Sequence, residues 1–202
     1  MRIITRRDGF RYGTDSILLA NFVKPGVRGH IVELCSGAGA VSLLLSAKTR
    51  AVRITGIEIS GPLVEMANRS AALNRLEDKV EFVAGDICDI RGIMHAGSAA
   101  AVAVNPPYLP VGSGFTGADG GMEIARREIC CTLADVTEAA NWLLNPGGQM
   151  FIVYRTDRLV DLFCAMRASG IEPKELQPVG APPSLILARG VKGASPGLRY
   201  GG

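Results

Sequence analysis

A short β-branched run, His30-Ile31-Val32-Glu33-Leu34, passes directly into Cys35-Ser36-Gly37-Ala38-Gly39-Ala40 and then into an apolar stretch from Val41 to Leu45. This succession reads as strand, glycine turn and helix, and it limits the chain to the α/β class more firmly than any other feature. Glycines at 37 and 39 permit a tight turn and a close approach of a ligand to the backbone. The helix behind them presents unpaired N–H groups. A second β-rich run, Val52 to Ile57, ends in Glu58, about twenty residues beyond the glycines, the separation at which a doubly wound fold brings a carboxylate to a ribose. The third glycine of a dinucleotide fingerprint is missing, and Glu33 stands four positions before Gly37. Both departures argue against a nicotinamide cofactor.

The remaining chain continues the alternation. Gly61-Pro62 opens a helix to about Leu73, Lys79 to Val83 reads as a strand ending at Gly85-Asp86, and the small apolar run Ala99 to Val104 reads as a buried parallel strand. A helix from about Ile124 to Leu144 stops at Asn145-Pro146-Gly147-Gly148. It is followed by a strand from Gln149 to Tyr154, a helix from Arg158 to Ala168, and strands at about Glu172–Val179 and Leu185–Arg189. No helix separates the last two strands, so one of them can run antiparallel. At the other end, Ile3–Thr5 and Phe10–Tyr12 flank Asp8-Gly9 as a β-hairpin, and Thr14 or Asp15 caps a helix through Phe22. The expectation is a single domain over residues 1–202, Rossmann-like, with a mostly parallel seven-stranded sheet, one antiparallel strand and an N-terminal flap at 1–13. The glycine-rich stretch between Leu109 and Gly121 is expected to be a mobile loop.

Asn105-Pro106-Pro107-Tyr108 follows the Ala99 to Val104 strand. An Asn at a strand's C-terminal end offers a side-chain carbonyl, and the stiffened backbone presents the Pro106 carbonyl as a second fixed acceptor. Two such acceptors suit an NH2 donor, and the Tyr108 ring gives a flat surface on which a base or amide can stack. Taken alone the same four residues also fit an ordinary proline-rich turn.

Composition fits a compact enzyme. The 202 residues are 48% apolar and 20% charged, against disorder, and the net charge of +3 permits an RNA substrate without requiring one. Arg6, Arg7 and Arg11 crowd the N-terminus, and Arg126 and Arg155 follow the last central strands, where phosphates would meet them. Five cysteines without a Cys-x-x-Cys pair, and only two histidines, indicate no metal site. The arginine-rich N-terminus is unlike a signal peptide and no apolar run reaches bilayer length, so a cytoplasmic protein without membrane contact is expected.

The order Glu-x-x-x-Gly-x-Gly, distal Glu58, Gly85-Asp86-Ile87 and Asn-Pro-Pro-Tyr resembles S-adenosylmethionine-dependent methyltransferases of the amino-group class. More narrowly, Asp8 to Phe22, Ile124-Ala125-Arg126-Arg127-Glu128, Leu143 to Gly148, Arg158 to Arg167 and Gly170 to Lys174 are similar to the bacterial tRNA1(Val) (adenine-N6)-methyltransferase family. Members of that family usually extend beyond the equivalents of Ile3 and Leu198. The resemblance implies a class I methyltransferase fold, S-adenosyl-L-methionine as cofactor, and tRNA as partner, methylated on the adenine 3′ of the anticodon by a monomer. It implies Asn105, Pro106, Pro107 and Tyr108 as catalytic residues. It further implies Glu58 at the ribose, Asp86 and Ile87 at the adenine, Gly37 and Gly39 beside the methionine moiety, and Thr14, Asp15, Glu33, Cys35, Ile59 and Asn105 around the cofactor. Two alternatives stay open: methylation of a glutamine side-chain amide in a protein such as a release factor, and a non-catalytic nucleoside- or RNA-binding module.

Overall fold

The computed structural model describes residues 1–5, 13–106 and 131–201. In chain order these form α1 (Thr14–Phe22), β1 (Arg28–Leu34), α2 (Ala40–Lys48), β2 (Arg50–Glu58), α3 (Gly61–Leu73), β3 (Val80–Ala84), a 3-10 turn (Ile87–Asp89) and α4 (Ile90–Ile93). After them come β4 (Ala99–Val104), α5 (Leu133–Leu143), β5 (Leu144–Arg155), a 3-10 turn (Thr156–Arg158), α6 (Leu159–Ala168), β6 (Ile171–Gly180), β7 (Pro183–Lys192) and β8 (Arg199–Tyr200). The sheet order is β3-β2-β1-β4-β5-β7-β6-β8. Strands β1 to β5 are parallel, β7 runs antiparallel between β5 and β6, and β8 pairs parallel with β6. The seven expected strands and the single reversed one are therefore present, and the two-residue β8 adds an eighth.

Alternation along β1 sends Val32 and Leu34 to one face and Ile31 to the other, so each face has its own core. On one side, Val102, Val104, Met150 and Ile152 pack with Val136, Ala140 and Leu143 of α5 and Leu162 and Met166 of α6. On the other, Ile54, Ala101, Ala103 and Phe151 pack with Leu19 and Phe22 of α1, Leu43 and Leu45 of α2 and Ala67 of α3. The Phe22 ring meets Phe151 edge-on at 6.0 Å between centroids, which anchors α1 to β5.

Local differences from expectation have identifiable causes. Neither Thr14 nor Asp15 caps α1; Gly13 takes the N-cap position without a side-chain bond, because the Asp15 carboxylate is already inside the helix and accepts from Ser16 N at 2.9 Å. The Asn145–Gly148 stretch stops α5 as expected but is taken up in β5, where Gly147 has φ +76° and the register with β4 slips between Ala99 and Ala101. Residues Ile3–Thr5 form no strand. Their segment lies along α3, with Arg2 N donating to Asn74 Oδ1 and Ile4 N to Ser70 Oγ, while the other arm of the expected hairpin lies outside the described residues. The expected loop at 109–121 also lies outside them.

The two turn glycines have different reasons to be glycine. At Gly39 (φ +82°) a Cβ would stand 2.4 Å from Phe82 Cζ and 3.1 Å from Ala67 Cβ, whereas at Gly37 (φ +55°) no atom of the described residues beyond its chain neighbours lies within 4 Å of that position. Gly39→Ala combines a left-handed alanine with overpacking and is expected to lower stability by about 2–4 kcal/mol in urea unfolding, against about 1–2 kcal/mol for Gly37→Ala, which carries backbone strain alone. Equal losses would show that the Phe82 contact yields freely.

Candidate active site

Because β1 to β4 are parallel, their C-terminal ends share one edge of the sheet. The segments that leave them, 35–39, 58–60, 85–87 and 105–106, lie along that edge in the spatial order β3-β2-β1-β4. The chain reverses its direction of growth between β1 and β4. A doubly wound sheet opens its ligand crevice at such a reversal.

Glu58 organises the turn. Its Oε2 accepts from Gly37 N at 2.8 Å and its Oε1 from Ser60 N at 3.0 Å, so one carboxylate joins the glycine turn after β1 to the start of α3. Ser36 N donates to Ile57 O and Gly85 N to Glu58 O, tying the turns after β1 and β3 to the end of β2. Cys35 takes φ +57°, a conformation uncommon for a residue with a side chain, and the adjacent Ser36 hydroxyl is buried without a partner among the described residues.

Glu33, one strand position before Leu34, is buried at 2% exposure. It accepts from Ser42 N at 2.8 Å and from the Ser42 hydroxyl, joining β1 to the first turns of α2. Burial pushes its carboxyl up to about 8 against the opposing pull of Ser42. The neighbouring Cys131 thiol and burial raise the Cys35 thiol, while Cys35 lowers Cys131 against the opposing effect of burial there. The Cys35 thiol therefore stays protonated and packs.

Asn105 leaves β4 beside α1. Its Nδ2 donates to Asp15 Oδ2 at 3.0 Å and to the buried Ser16 hydroxyl at 3.2 Å. Ser16 was not singled out by sequence, since a contact across 89 positions leaves no local signal. Pro106 is buried behind Asn105. Asp86 Oδ1 accepts from Cys88 N at 2.9 Å and so caps the 3-10 turn, Ile87 is buried in the core, and Ile59 is exposed at the end of β2. Thr14 is exposed on the first turn of α1. Arg155 lies half-buried at the end of β5, and its guanidinium binds the Asp157 carboxylate with two nitrogens. Arg6, Arg7, Arg11, Pro107, Tyr108 and Arg126 lie outside the described residues. Among the described residues there is no cluster of three His, Cys, Asp or Glu suited to a metal ion, and no helix is long and apolar enough to cross a membrane.

This is the architecture of class I methyltransferases. The structure superposes on a crystal structure of a predicted O-methyltransferase from Agrobacterium tumefaciens with a TM-score of 0.72 at 21% identity, covering 92% of this chain and 84% of the other. Residues 7–161 match the methyltransferase small domain family, and the chain belongs to that family. It is 29% identical to a tRNA1(Val) (adenine(37)-N6)-methyltransferase from Porphyromonas gingivalis, over 75% of this chain and 61% of that protein. It is also 29% identical to a 4-amino-L-phenylalanine/4-methylamino-L-phenylalanine methyltransferase from Streptomyces pristinaespiralis, over 69% of this chain and 48% of that one. The chain thus spans about three fifths of the tRNA-modifying relative's length.

The raised Glu33 carboxyl gives stability a pH dependence. A carboxyl whose folded value lies above its unfolded one holds its proton in the folded state through that window, so stability falls as pH rises from about 4.5 to about 8. The slope approaches about 1.4 kcal/mol per pH unit for one proton. Glu33→Gln keeps an acceptor for Ser42 without titrating, and urea unfolding at pH 5, 6, 7 and 8 is expected to show that slope reduced in the variant. An unchanged slope would move its origin elsewhere.

Proposed function

We propose that the chain binds S-adenosyl-L-methionine at the β1–β2 edge and transfers its methyl group to the N6 amine of an adenine in tRNA, at the base 3′ of the anticodon. The observation that carries this reading is the placement of Asn105, held by α1 at the end of β4, next to the glycine turn and Glu58 at the ends of the neighbouring strands. The residues present fit the cofactor. The Glu58 oxygens retain lone pairs for ribose hydroxyls after their two backbone bonds, and the clear space at Gly37 lets a ligand approach the backbone. The cofactor supplies an electrophilic methyl on a sulfonium.

The protein's part is orientation. Hydrogen bonds from the substrate NH2 to the Asn105 side-chain oxygen and the Pro106 carbonyl favour a pyramidal nitrogen, whose lone pair is then withdrawn from the ring and can point at the methyl carbon. The same two acceptors stabilise the positive charge that develops on that nitrogen. Tyr108 stacks on the adenine turned out of the anticodon loop, an extrusion that costs a few kcal/mol and is offset by stacking and phosphate contacts. Arg155, Arg6, Arg7, Arg11 and Arg126 are the phosphate partners in this reading, with Arg155 exchanging Asp157 for phosphate. Asp86 and Ile87 bracket the cofactor's adenine, and Thr14, Cys35 and Ile59 complete its surroundings. The names of the two relatives support an amine acceptor on an aromatic ring, and the first of them supports tRNA. A cytoplasmic monomer is the form proposed.

Labelled S-adenosylmethionine offered with bulk tRNA, bulk protein and release factor, followed by nucleoside analysis, distinguishes the acceptors: N6-methyladenosine in tRNA is the expected product. Label in a protein glutamine would overturn the RNA assignment. On the confirmed substrate, Asn105→Ala should lower kcat by about 10²- to 10³-fold while S-adenosylhomocysteine binding is nearly kept, because the lost acceptor matters chiefly when the amine becomes cationic. Wild-type turnover in that variant would remove Asn105 from the mechanism.

A further inference from the structure

We infer that Asp15, seconded by Ser16, is the positioning residue that sets which edge of the Asn105 amide faces the substrate, so that the first turn of α1 is part of the methyl-transfer machinery. This rests on the proposed amine methylation. An Asn amide can sit in two orientations differing by a flip, and only the one that presents oxygen to an incoming NH2 is productive, since the flipped form sets donor against donor. A carboxylate accepts and does not donate. The Asp15 Oδ2 contact with Asn105 Nδ2 at 3.0 Å therefore admits one of the two orientations, and the Ser16 hydroxyl at 3.2 Å accepts from the same NH2 group.

The clamp is built into rigid parts. Asp15 Oδ1 is itself held by Ser16 N at 2.9 Å, and α1 is fixed in the core by Leu19, Ala20 and Phe22, all buried. Gly13 makes room for the carboxylate: a Cβ there would stand 2.5 Å from Asp15 Oδ1 and 3.4 Å from its Cγ, although its backbone (φ −91°, ψ −178°) suits any residue. The negative charge beside the NH2 also polarises the amide, which makes its oxygen a stronger acceptor as the substrate nitrogen turns cationic. Asp15 acts through Asn105 and touches no reacting atom.

The test compares wild type, Asp15→Ala, Asp15→Asn, Gly13→Ala, Asn105→Ala and the Asp15→Ala/Asn105→Ala pair on an anticodon stem-loop RNA, reading kcat, KM for RNA and the affinity for S-adenosylhomocysteine. Asp15→Ala is expected to lower kcat by about 10- to 100-fold with KM and cofactor affinity little changed, and Asp15→Asn, which keeps an acceptor oxygen, to recover part of it. Gly13→Ala forces the carboxylate aside without removing it and should give a similar loss of kcat. In the Asn105→Ala background the Asp15 substitution should have no further effect. Independent losses in the pair, or a loss confined to cofactor affinity, would overturn the positioning role. The side-chain NH2 resonances of Asn105 judge the clamp without turnover: they should shift in Asp15→Ala and Gly13→Ala, and unchanged resonances would overturn it. A folded wild-type chain that methylates no RNA would overturn the proposed activity while leaving the resonance test of the clamp intact.

Discussion

The Glu58 carboxylate is the tie on which the geometry of the site depends. A carboxylate at the end of β2 has its two oxygens taken up by Gly37 N–H and Ser60 N–H, so the turn after the central strand and the start of the next helix are both referred to one rigid group. The Ser60 N–H stands at the N-cap of α3 and the Gly37 N–H in the turn ahead of α2, both outside a hydrogen-bonded ladder, and each would be an expensive orphan if left without a partner. The carboxylate is itself buried, and its remaining lone pairs are the ones the proposed reading assigns to a ligand at the reversal between β1 and β4. One side chain thus serves local satisfaction of the backbone and, in the proposed reading, recognition of a ribose.

Glu33 has the contrasting fate of a carboxyl at the same edge. It is enclosed by the α2 face, bonded to Ser42, and pushed upward by burial, with Glu58 adding to the shift. Near neutral pH it is therefore mostly protonated, and the glycine turn sits over one structural acid and one acceptor carboxylate. Both carboxyls are buried, and the division lies in their partners: Glu33 meets Ser42 of α2, whereas Glu58, the last residue of its strand, reaches the backbone N–H groups of the turns at the edge. At the end of β4, α1 brings Asp15 and Ser16 onto Asn105, so the glycine turn and the asparagine are held by separate elements that meet only in the folded chain.

Strands β1, β2 and β4 were legible in the sequence because a parallel strand covered on both faces must be an apolar run, and Glu58, Gly37 and Asn105 were legible because they stand where such runs end. The antiparallel β7 followed from the missing helix between the last two strands. What was not legible depended on contacts distant in sequence or on very short elements. The role of Ser16 needs Asn105 in space. The Ile87–Asp89 turn and α4 are too short for a periodic pattern, and β8 exists only through pairing with β6. The Asn145–Gly148 segment carries strong breaker residues, yet the sheet absorbs it as an irregularity, since a bulge beside β4 satisfies the same residues as a turn. Asp86 is expected at the cofactor's adenine from the family resemblance, and in the folded chain its carboxylate caps the turn that follows.

The central claim is that the ends of β1, β2 and β4 form one site that joins a sulfonium cofactor to an amine acceptor. A crystal structure with S-adenosylhomocysteine bound tests it most directly. The account predicts the ribose hydroxyls within hydrogen-bond distance of the Glu58 carboxylate, the chain of the amino acid moiety over Gly37, and the sulfur turned toward Asn105 with the Asp15 clamp in place. A ligand seated away from Glu58, or one whose sulfur faces away from Asn105, would contradict it.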